Sequence, residues 1–128
     1  MHITIIQGVD NMSFDIEKSK KLAITAYEAL EDKKGENIQI LEVAEVSVIA
    51  DYFIIANGNN PSQITALVDS VDEAMHKAGA KSPRIEGHQN SSWVLMDYGD
   101  VIIHVFSKED REFYNLERLW ADCTRVEI

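Results

Sequence analysis

The sequence predicts a single α/β domain, in which a mixed β-sheet of about five strands is flanked by helices. Segments with apolar residues at three- and four-residue spacing, typical of helices, alternate with short apolar runs that have strand character. A tight turn at Gly99-Asp100 separates two runs of alternating side chains, which indicates a β-hairpin. The 128 residues contain no repeat and no Pro/Gly/Ser-rich linker, so no internal domain boundary is expected.

The first predicted helix begins at Ser13, because a serine side chain is suited to the N-cap position. It ends before Gly35, which follows two lysines. Its apolar stripe consists of Ile16, Ala23, Ala26, Tyr27 and Leu30. The segment before Ser13 has two interpretations: Ile3 to Ile6 form a short strand, or residues 1–12 are an N-terminal extension of the domain.

Two strands and a second helix are predicted next. Asn37 to Val46 has strand character, and Asp51 to Asn57 is a nearly continuous apolar run, typical of a strand covered on both faces. The second helix begins at Asn60-Pro61, with asparagine as N-cap and proline at the first helical position, and it ends at Gly79. Its predicted buried stripe consists of Ile64, Leu67, Val68, Val71, Met75 and Ala78.

The hairpin spans WVLMDYGDVIIHVF, from Trp93 to Phe106, and follows a short predicted strand at Arg84 to Glu86. A two-residue turn places Trp93 opposite Phe106 and Leu95 opposite His104. Side chains alternate between the faces of a strand. One face is therefore a core face with Val94, Met96, Tyr98, Val101, Ile103 and Val105. The other face carries Trp93, Leu95, Asp97, Ile102, His104 and Phe106.

A C-terminal helix is predicted after the hairpin. Ser107 and Asp110 have the spacing of a capping box. In this motif each of the two side chains accepts a hydrogen bond from the backbone N–H of the other residue. One side of this helix would carry Phe113, Leu116, Leu119 and Trp120. The domain is expected to span residues 13–122, with residues 123–128 as a C-terminal tail.

Composition limits the partners and the compartment. With 22 acidic residues against 12 lysines and arginines, the net charge is −10, which disfavours direct nucleic-acid binding because phosphates would be repelled. The excess of acid either serves solubility alone or matches a basic protein partner, such as a ribosomal protein or another nucleic-acid-binding protein. No apolar run is long enough to span a membrane, and no signal or transit peptide is recognised. A single cysteine, Cys123, suits a reducing compartment, so a cytoplasmic location is expected.

The second face of the hairpin has three interpretations: a catalytic site, a docking surface or a second core. Asp97 and His104 are only diagonal neighbours, and no nucleophile accompanies them. Neither zinc-ligand spacing nor a phosphate-binding loop occurs, since Gly58-Asn59-Asn60 lacks the lysine of such a loop. We therefore expect no catalysis, no cofactor and no metal. An aromatic patch with an acidic border is typical of a docking surface. The border residues are Asp97, Glu109, Asp110 and Glu112.

Several motifs together resemble the Iojap family of ribosomal silencing factors, also called RsfS. The motifs are DYFIIANG (51–58), Glu86-Gly87, the hairpin sequence, Arg111, YNLE (114–117) and Leu119-Trp120. The resemblance extends from about Ser13 to Asp122. It departs from the family pattern after Gly58, where NNPSQ stands in place of a Thr-Ser stretch with a basic residue before the glutamine.

The resemblance implies a fold related to nucleotidyltransferases but without their catalytic carboxylates. It also implies a partner, the large ribosomal subunit, bound through the basic ribosomal protein L-fourteen, with joining of the small subunit obstructed and translation lowered. The partner-binding positions that match the motifs are Trp93, Asp97, Asp100, His104, Arg111, Tyr114 and Glu117. Trp93 and Tyr114 would be apolar anchors, the three acids would accept from Lys or Arg, and Trp120 would be core. Two alternatives stay open: a nucleotidyltransferase-like enzyme that holds a nucleotide near Gly58, and a homodimer formed through the aromatic face.

Overall fold

The computed structural model describes residues 2–44, 50–87, 92–115, 118 and 124–126, with side chains from Glu17 onward. The helices are α1 (His2–Asp32), α2 (Pro61–Lys77) and α3 (Lys108–Tyr114). The strands are β1 (Glu36–Glu42), β2 (Tyr52–Gly58), β3 (Arg84–Glu86), β4 (Trp93–Asp97), β5 (Val101–Ser107) and β6 (Thr124–Val126). All six form one sheet in the order β3-β4-β5-β2-β1-β6.

The sheet is mixed, as predicted. Strands β2 and β5 pair in parallel, and the other neighbouring strands pair antiparallel. The sheet has one strand more than expected, because Thr124–Val126, in the segment predicted to be a tail, pairs with β1. This strand covers an edge of β1 whose backbone groups would otherwise lack partners. Three residues are too short to show an alternating pattern, which is why the sequence did not predict it.

Helix α1 is longer than predicted, since it runs without interruption from His2 to Asp32. The predicted start at Ser13 and the alternative strand over Ile3 to Ile6 are therefore both wrong. No proline interrupts residues 2–12, and once a helix exists each further residue adds one backbone hydrogen bond, so a cap-like serine does not stop it. The end of the helix agrees with the prediction: the Gly35 N–H donates to the Leu30 carbonyl at 2.8 Å.

The main core lies between one face of the sheet and helices α1 and α2. The predicted stripes are confirmed at Ala23, Ala26 and Leu30 in α1 and at Ile64, Leu67, Val71 and Met75 in α2. Ala78 was expected in the second stripe but is exposed, because α2 has already ended and Ala78 is its C-cap. The N-cap prediction is confirmed: Asn60 Oδ1 accepts from the Gln63 N–H at 2.8 Å.

A second, smaller cluster covers the opposite face of the sheet. Its buried members are Leu41, Val43, Ala50, Phe53, Ile55, Ile102 and Phe106. Trp93 and Leu95 are half-buried at its margin. Helix α3 follows β5 directly and brings Tyr114 to 6.3 Å from Phe106 between ring centroids. The helices therefore flank both faces, with α1 and α2 on one side and α3 on the other.

Helix α3 is anchored at both ends by local chemistry. Ser107 Oγ accepts from the Asp110 N–H at 3.1 Å, as predicted. The other half of the predicted capping box is absent among the described residues, because the Asp110 carboxylate accepts from the Ser92 hydroxyl instead. The helix ends at Tyr114, since Asn115 adopts the left-handed conformation (φ 46°, ψ 56°). Of the predicted apolar side, Phe113 is exposed, and the remaining members lie outside the described residues; these are Leu116, Leu119 and Trp120.

Candidate functional site

The hairpin has the predicted register. Trp93 pairs with Phe106 and Leu95 with His104. The Tyr98 N–H donates to the Val101 carbonyl at 2.9 Å, which closes the two-residue turn at Gly99-Asp100. A local sequence pattern was sufficient to predict the register of the hairpin, because the length of the turn sets which residues of the two strands pair.

The two faces of the hairpin also have the predicted character. On the core face Val94, Met96, Val101, Ile103 and Val105 are buried against α1 and α2. Tyr98, at the end of this face, donates to Asp72 Oδ1 at 3.2 Å, and burial together with the Asp72 carboxylate raises the pKa of its phenol. On the second face Ile102, His104 and Phe106 are buried, so this face is largely a core of its own.

An exposed aromatic patch lies at the margin of the second face, where β4 begins and α3 ends. We define the aromatic patch as Trp93, Phe113 and Tyr114. The Trp93 and Tyr114 ring centroids are 4.6 Å apart, and those of Tyr114 and Phe113 are 5.1 Å apart. Tyr114 is 44% exposed and Phe113 is 80% exposed, which is unusual for large aromatic side chains unless they serve recognition. Phe113 was not among the predicted site residues, because helical periodicity assigned it to the apolar side of a longer helix.

Acidic side chains lie beside the aromatic patch on α3. Glu109 and Glu112 are exposed, and Asp110 is half-buried. Asp97 and Asp100, in contrast, belong to the turn at the other end of the hairpin. Asp97 follows Trp93 by four residues, or roughly 13 Å of strand. Its Oδ1 accepts from the Gly99 N–H at 2.8 Å, so it also organises the turn. The structure therefore separates two of the three predicted acidic acceptors, Asp97 and Asp100, from the predicted anchors.

His104 is a buried side chain that supports Trp93. Its Nδ1 accepts from the Trp93 indole N–H at 3.2 Å, and its ring lies 5.3 Å from the Phe53 ring and 6.0 Å from the Phe106 ring. Asp97, its diagonal neighbour on the hairpin, accepts from the Gly99 N–H instead and is not its hydrogen-bond partner. His104 Nε2 has no hydrogen-bond partner among the described residues. A neutral imidazole that accepts at Nδ1 carries its proton on Nε2.

Burial lowers the pKa of His104 from 6.5 to about 4. Between these two values the unfolded chain binds a proton that the folded chain does not bind, so folding is opposed there. The contribution of neutral His104 to stability is therefore complete above about pH 6.5 and is lost as the pH falls toward 4. At neutral pH His104 is an uncharged acceptor that fixes the orientation of the indole.

Arg111 is the second buried polar member of the predicted set, with 8% of its surface exposed. Its Nη1 donates to Asn57 Oδ1 at 2.9 Å and to the Glu36 carbonyl at 3.2 Å. The side chain thereby ties α3 to both β1 and β2. Of the seven predicted partner-binding residues, the structure brings Trp93 and Tyr114 together at the surface, buries His104 against Trp93, and buries Arg111 against β1 and β2. Glu117 lies outside the described residues.

Gly58, where the enzymatic alternative placed a nucleotide, is buried at the end of β2. A Cβ at this position would lie 3.2 Å from Ile64 Cγ1, so α2 fills that side closely. Within the described ranges, no three His, Cys, Asp or Glu side chains are grouped as metal ligands would be. The same part of the chain has no helix that combines the length and the apolar character needed to cross a membrane.

Comparison with known proteins identifies the family. The family model described as "Ribosomal silencing factor during starvation" matches residues 16–128. The ribosomal silencing factor RsfS of Halalkalibacterium halodurans is 39% identical over 110 residues, which cover 86% of this chain and 94% of that protein. The mouse protein "Mitochondrial assembly of ribosomal large subunit protein 1" is 29% identical over 95 residues, 72% of this chain and 42% of that protein.

A solved structure agrees with this match. The crystal structure of a Chromobacterium violaceum protein superposes with a TM-score of 0.77 at 36% sequence identity, and the match covers 80% of this chain and 85% of that one. The resemblance inferred from the hairpin and C-terminal motifs is thereby confirmed. The chain belongs to the RsfS (Iojap) family of ribosomal silencing factors.

Proposed function

We propose that this protein represses translation in the cytoplasm by binding the large ribosomal subunit and blocking its association with the small subunit. The observation that carries the proposal is the exposed aromatic patch beside acidic residues on a chain with a net charge of −10. Membership of the silencing-factor family supports the role, and the name of the mouse relative connects that protein with assembly of the large subunit. Steric exclusion needs no catalytic group, only adequate affinity and bulk.

The partner on the large subunit is a basic protein, which we propose to be ribosomal protein L-fourteen. Interfaces of this kind have an apolar centre, enriched in aromatic residues, and a polar rim. Trp93, Phe113 and Tyr114 supply such a centre, and Glu109 and Glu112 supply carboxylates that pair with lysine or arginine at the rim. The excess of negative charge also accelerates encounter with a basic surface.

Within this surface the predicted residues take different roles. Trp93 contributes the face of its ring, because its indole N–H is already donated to His104. Tyr114 and Phe113 are the most exposed anchors. His104 and Arg111 do not touch the partner; they hold Trp93 and α3 in position. Asp97 and Asp100 would reach the partner only if the contact extends along the hairpin to its turn. Glu117 is proposed as an acceptor because it matches the family motif.

Affinity for isolated large subunits tests the docking surface. Phe113→Ala and Tyr114→Ala should each weaken binding, and an anchor that contributes about 2 kcal/mol corresponds to a roughly 30-fold rise in Kd. Ile85→Ala is the matched control, since Ile85 is also a large exposed apolar side chain (43%) but lies on β3 at the far edge of the sheet. Co-sedimentation gives the affinity, and light scattering reports whether subunits still join.

Full affinity in the Phe113→Ala/Tyr114→Ala double variant would refute the surface, as would an equal loss in Ile85→Ala. A homodimer through the same patch stays a prediction, and sedimentation equilibrium of the chain alone would detect it. The nucleotidyltransferase alternative also stays a prediction, and a rise in melting temperature with nucleotides and Mg²⁺ would support it.

A further inference from the structure

Strand β3 is an edge strand of the sheet. It ends the strand order, and β4 is its only neighbour among the described strands. All three of its residues, Arg84, Ile85 and Glu86, are exposed. The unpaired N–H and C=O groups of an edge strand can pair with a strand of another chain, so such an edge is either protected or used for association. β3 is therefore a candidate interaction surface, and it contains none of the three residues of the aromatic patch.

Ile85 gives this edge an apolar contact on the core face of the sheet. It lies directly opposite Met96 of β4, so its side chain is on the face that packs against α2. A groove of about 340 Å³ lies between Ile85 and α2, and Ile64, Val68 and Val94 are among the residues that line it. The Ile85 side chain nevertheless leaves the residue 43% exposed. A second strand beside β3 would cover this apolar surface.

Arg84 and Glu86 give the other face of the edge a charge pattern that complements itself. Their mutual ion pair is long at 3.6 Å, and their side chains are 81% and 61% exposed, so both can reach a further partner. In an antiparallel pair of β3 strands with a two-fold axis at Ile85, Arg84 of each copy lies opposite Glu86 of the other. Opposite charges at directly paired positions stabilise antiparallel strands, and like charges destabilise them. Asp97 of β4 already lies opposite Arg84, so the signs would alternate across three strands.

Two-fold symmetry makes a second copy of the chain the partner that suits this edge. The order along β3 is cation, apolar residue, anion, and a two-fold axis at Ile85 places the reverse order opposite it, so each position meets its complement. A strand of unrelated sequence would have to supply an anion, an apolar residue and a cation in that order. We infer that two copies of this protein associate through β3, as antiparallel strands about a two-fold axis at Ile85. Because β3 has only three residues, the association is weak and depends on protein concentration.

Disulfide cross-linking tests the register of this pair. Ile85→Cys, in a chain with Cys123→Ser, places two cysteines directly opposite each other, at a Cα separation of about 4.5–5.5 Å that a disulfide can bridge. Arg84→Cys in the same background is the matched control, because the two copies of position 84 are diagonal neighbours about 7–8 Å apart, beyond the usual reach of a disulfide. Under mild oxidation, non-reducing electrophoresis should show rapid linkage of Ile85→Cys and much slower linkage of Arg84→Cys.

Exchange of the charges tests the cross-strand pairs. Arg84→Glu makes both pairs like-charged, and so does Glu86→Arg, so each change should raise the dimer Kd at least about tenfold in sedimentation equilibrium. The double exchange Arg84→Glu/Glu86→Arg restores opposite charges and should recover a large part of the affinity. Lys20→Glu, at an exposed position on α1, is the control for Arg84→Glu, because it changes the net charge equally and should leave the Kd unchanged. Circular dichroism verifies that each variant is folded.

These measurements use the chain alone, so their outcome does not depend on the proposed silencing function. The Phe113→Ala/Tyr114→Ala double variant should dimerise like the original protein, which separates this contact from a dimer through the aromatic patch. The inference is overturned if the original chain stays monomeric up to about 1 mM, or if the double variant in the aromatic patch abolishes association. Equal linkage rates for Ile85→Cys and Arg84→Cys would also overturn it, as would a folded double exchange that recovers none of the lost affinity.

Discussion

Replacing Arg111 by methionine should destabilise the protein strongly, because the guanidinium connects three elements. It donates to Asn57 Oδ1 on β2 and to the Glu36 carbonyl on β1, while its own backbone belongs to α3. Methionine has nearly the same length and fills the buried space, but it can donate to neither acceptor. The substitution therefore isolates the polar contribution of the side chain from its packing.

The magnitude follows from the two contacts. A hydrogen bond that involves a charged group contributes about 1.5–3 kcal/mol, so the two bonds together are worth roughly 3–6 kcal/mol. Methionine recovers a part of this, because an uncharged side chain is not penalised by burial. We expect a net loss of about 3 kcal/mol, which is a large part of the ~5–15 kcal/mol that holds a typical domain folded. The melting temperature should fall by about 12 °C, at about 4 °C per kcal/mol for a chain of this size.

Urea unfolding followed by circular dichroism measures this loss. Arg84→Met is the matched control, because it makes the same chemical change at an exposed arginine. Arg84 lies on β3, its side chain is 81% exposed, and its ion pair with Glu86 is long at 3.6 Å. Its effect should stay below about 0.5 kcal/mol. Arg111→Lys should fall between the two, because an ammonium cannot span both acceptors. Equal losses in Arg111→Met and Arg84→Met would refute the reasoning.

Two further predictions concern single sites. His104→Leu should reduce the loss of stability at acid pH. Because the pKa of His104 is about 4, the original protein should lose about 3 kcal/mol more unfolding free energy than the variant between pH 7 and pH 4. Urea unfolding that shows the same loss in both proteins over this pH range would contradict the prediction. Gly87→Ala should cost about 3 kcal/mol of stability, since φ is +102° and a Cβ would lie 2.7 Å from the Trp93 carbonyl oxygen. Gly79→Ala is the control: φ is +86° but the space around it is open, so this change should cost only about 1 kcal/mol. Thermal unfolding that shows the same loss for both variants would disprove the clash.

The features that the sequence predicted correctly depend on neighbours along the chain. The hairpin register follows from a two-residue turn and from the alternation of side chains, so Trp93 was placed opposite Phe106 before any tertiary contact was known. The N-caps at Asn60 and Ser107 are likewise local, because the side chain bonds a backbone N–H three residues away.

The errors arose where a local signal competed with a longer-range one. Ser13 has the chemistry of a cap, but the helix continues to His2 and the serine lies inside it. Strand β6 depends on β1, which is distant in sequence, and three residues have no pattern of their own. Phe113 was assigned to an apolar face because periodicity assumed that α3 continues, whereas Asn115 ends it and leaves the ring exposed.

For the candidate site, the sequence alone determined the family, the two faces of the hairpin and the residue types, because these depend on the order of side chains and on a turn of two residues. The tertiary structure decided which of those residues are available. It placed Tyr114 beside Trp93, directed the indole N–H to His104, and committed Arg111 to Asn57 beneath α3. Exposure and pairing depend on which distant segments pack together, and no local pattern encodes that choice.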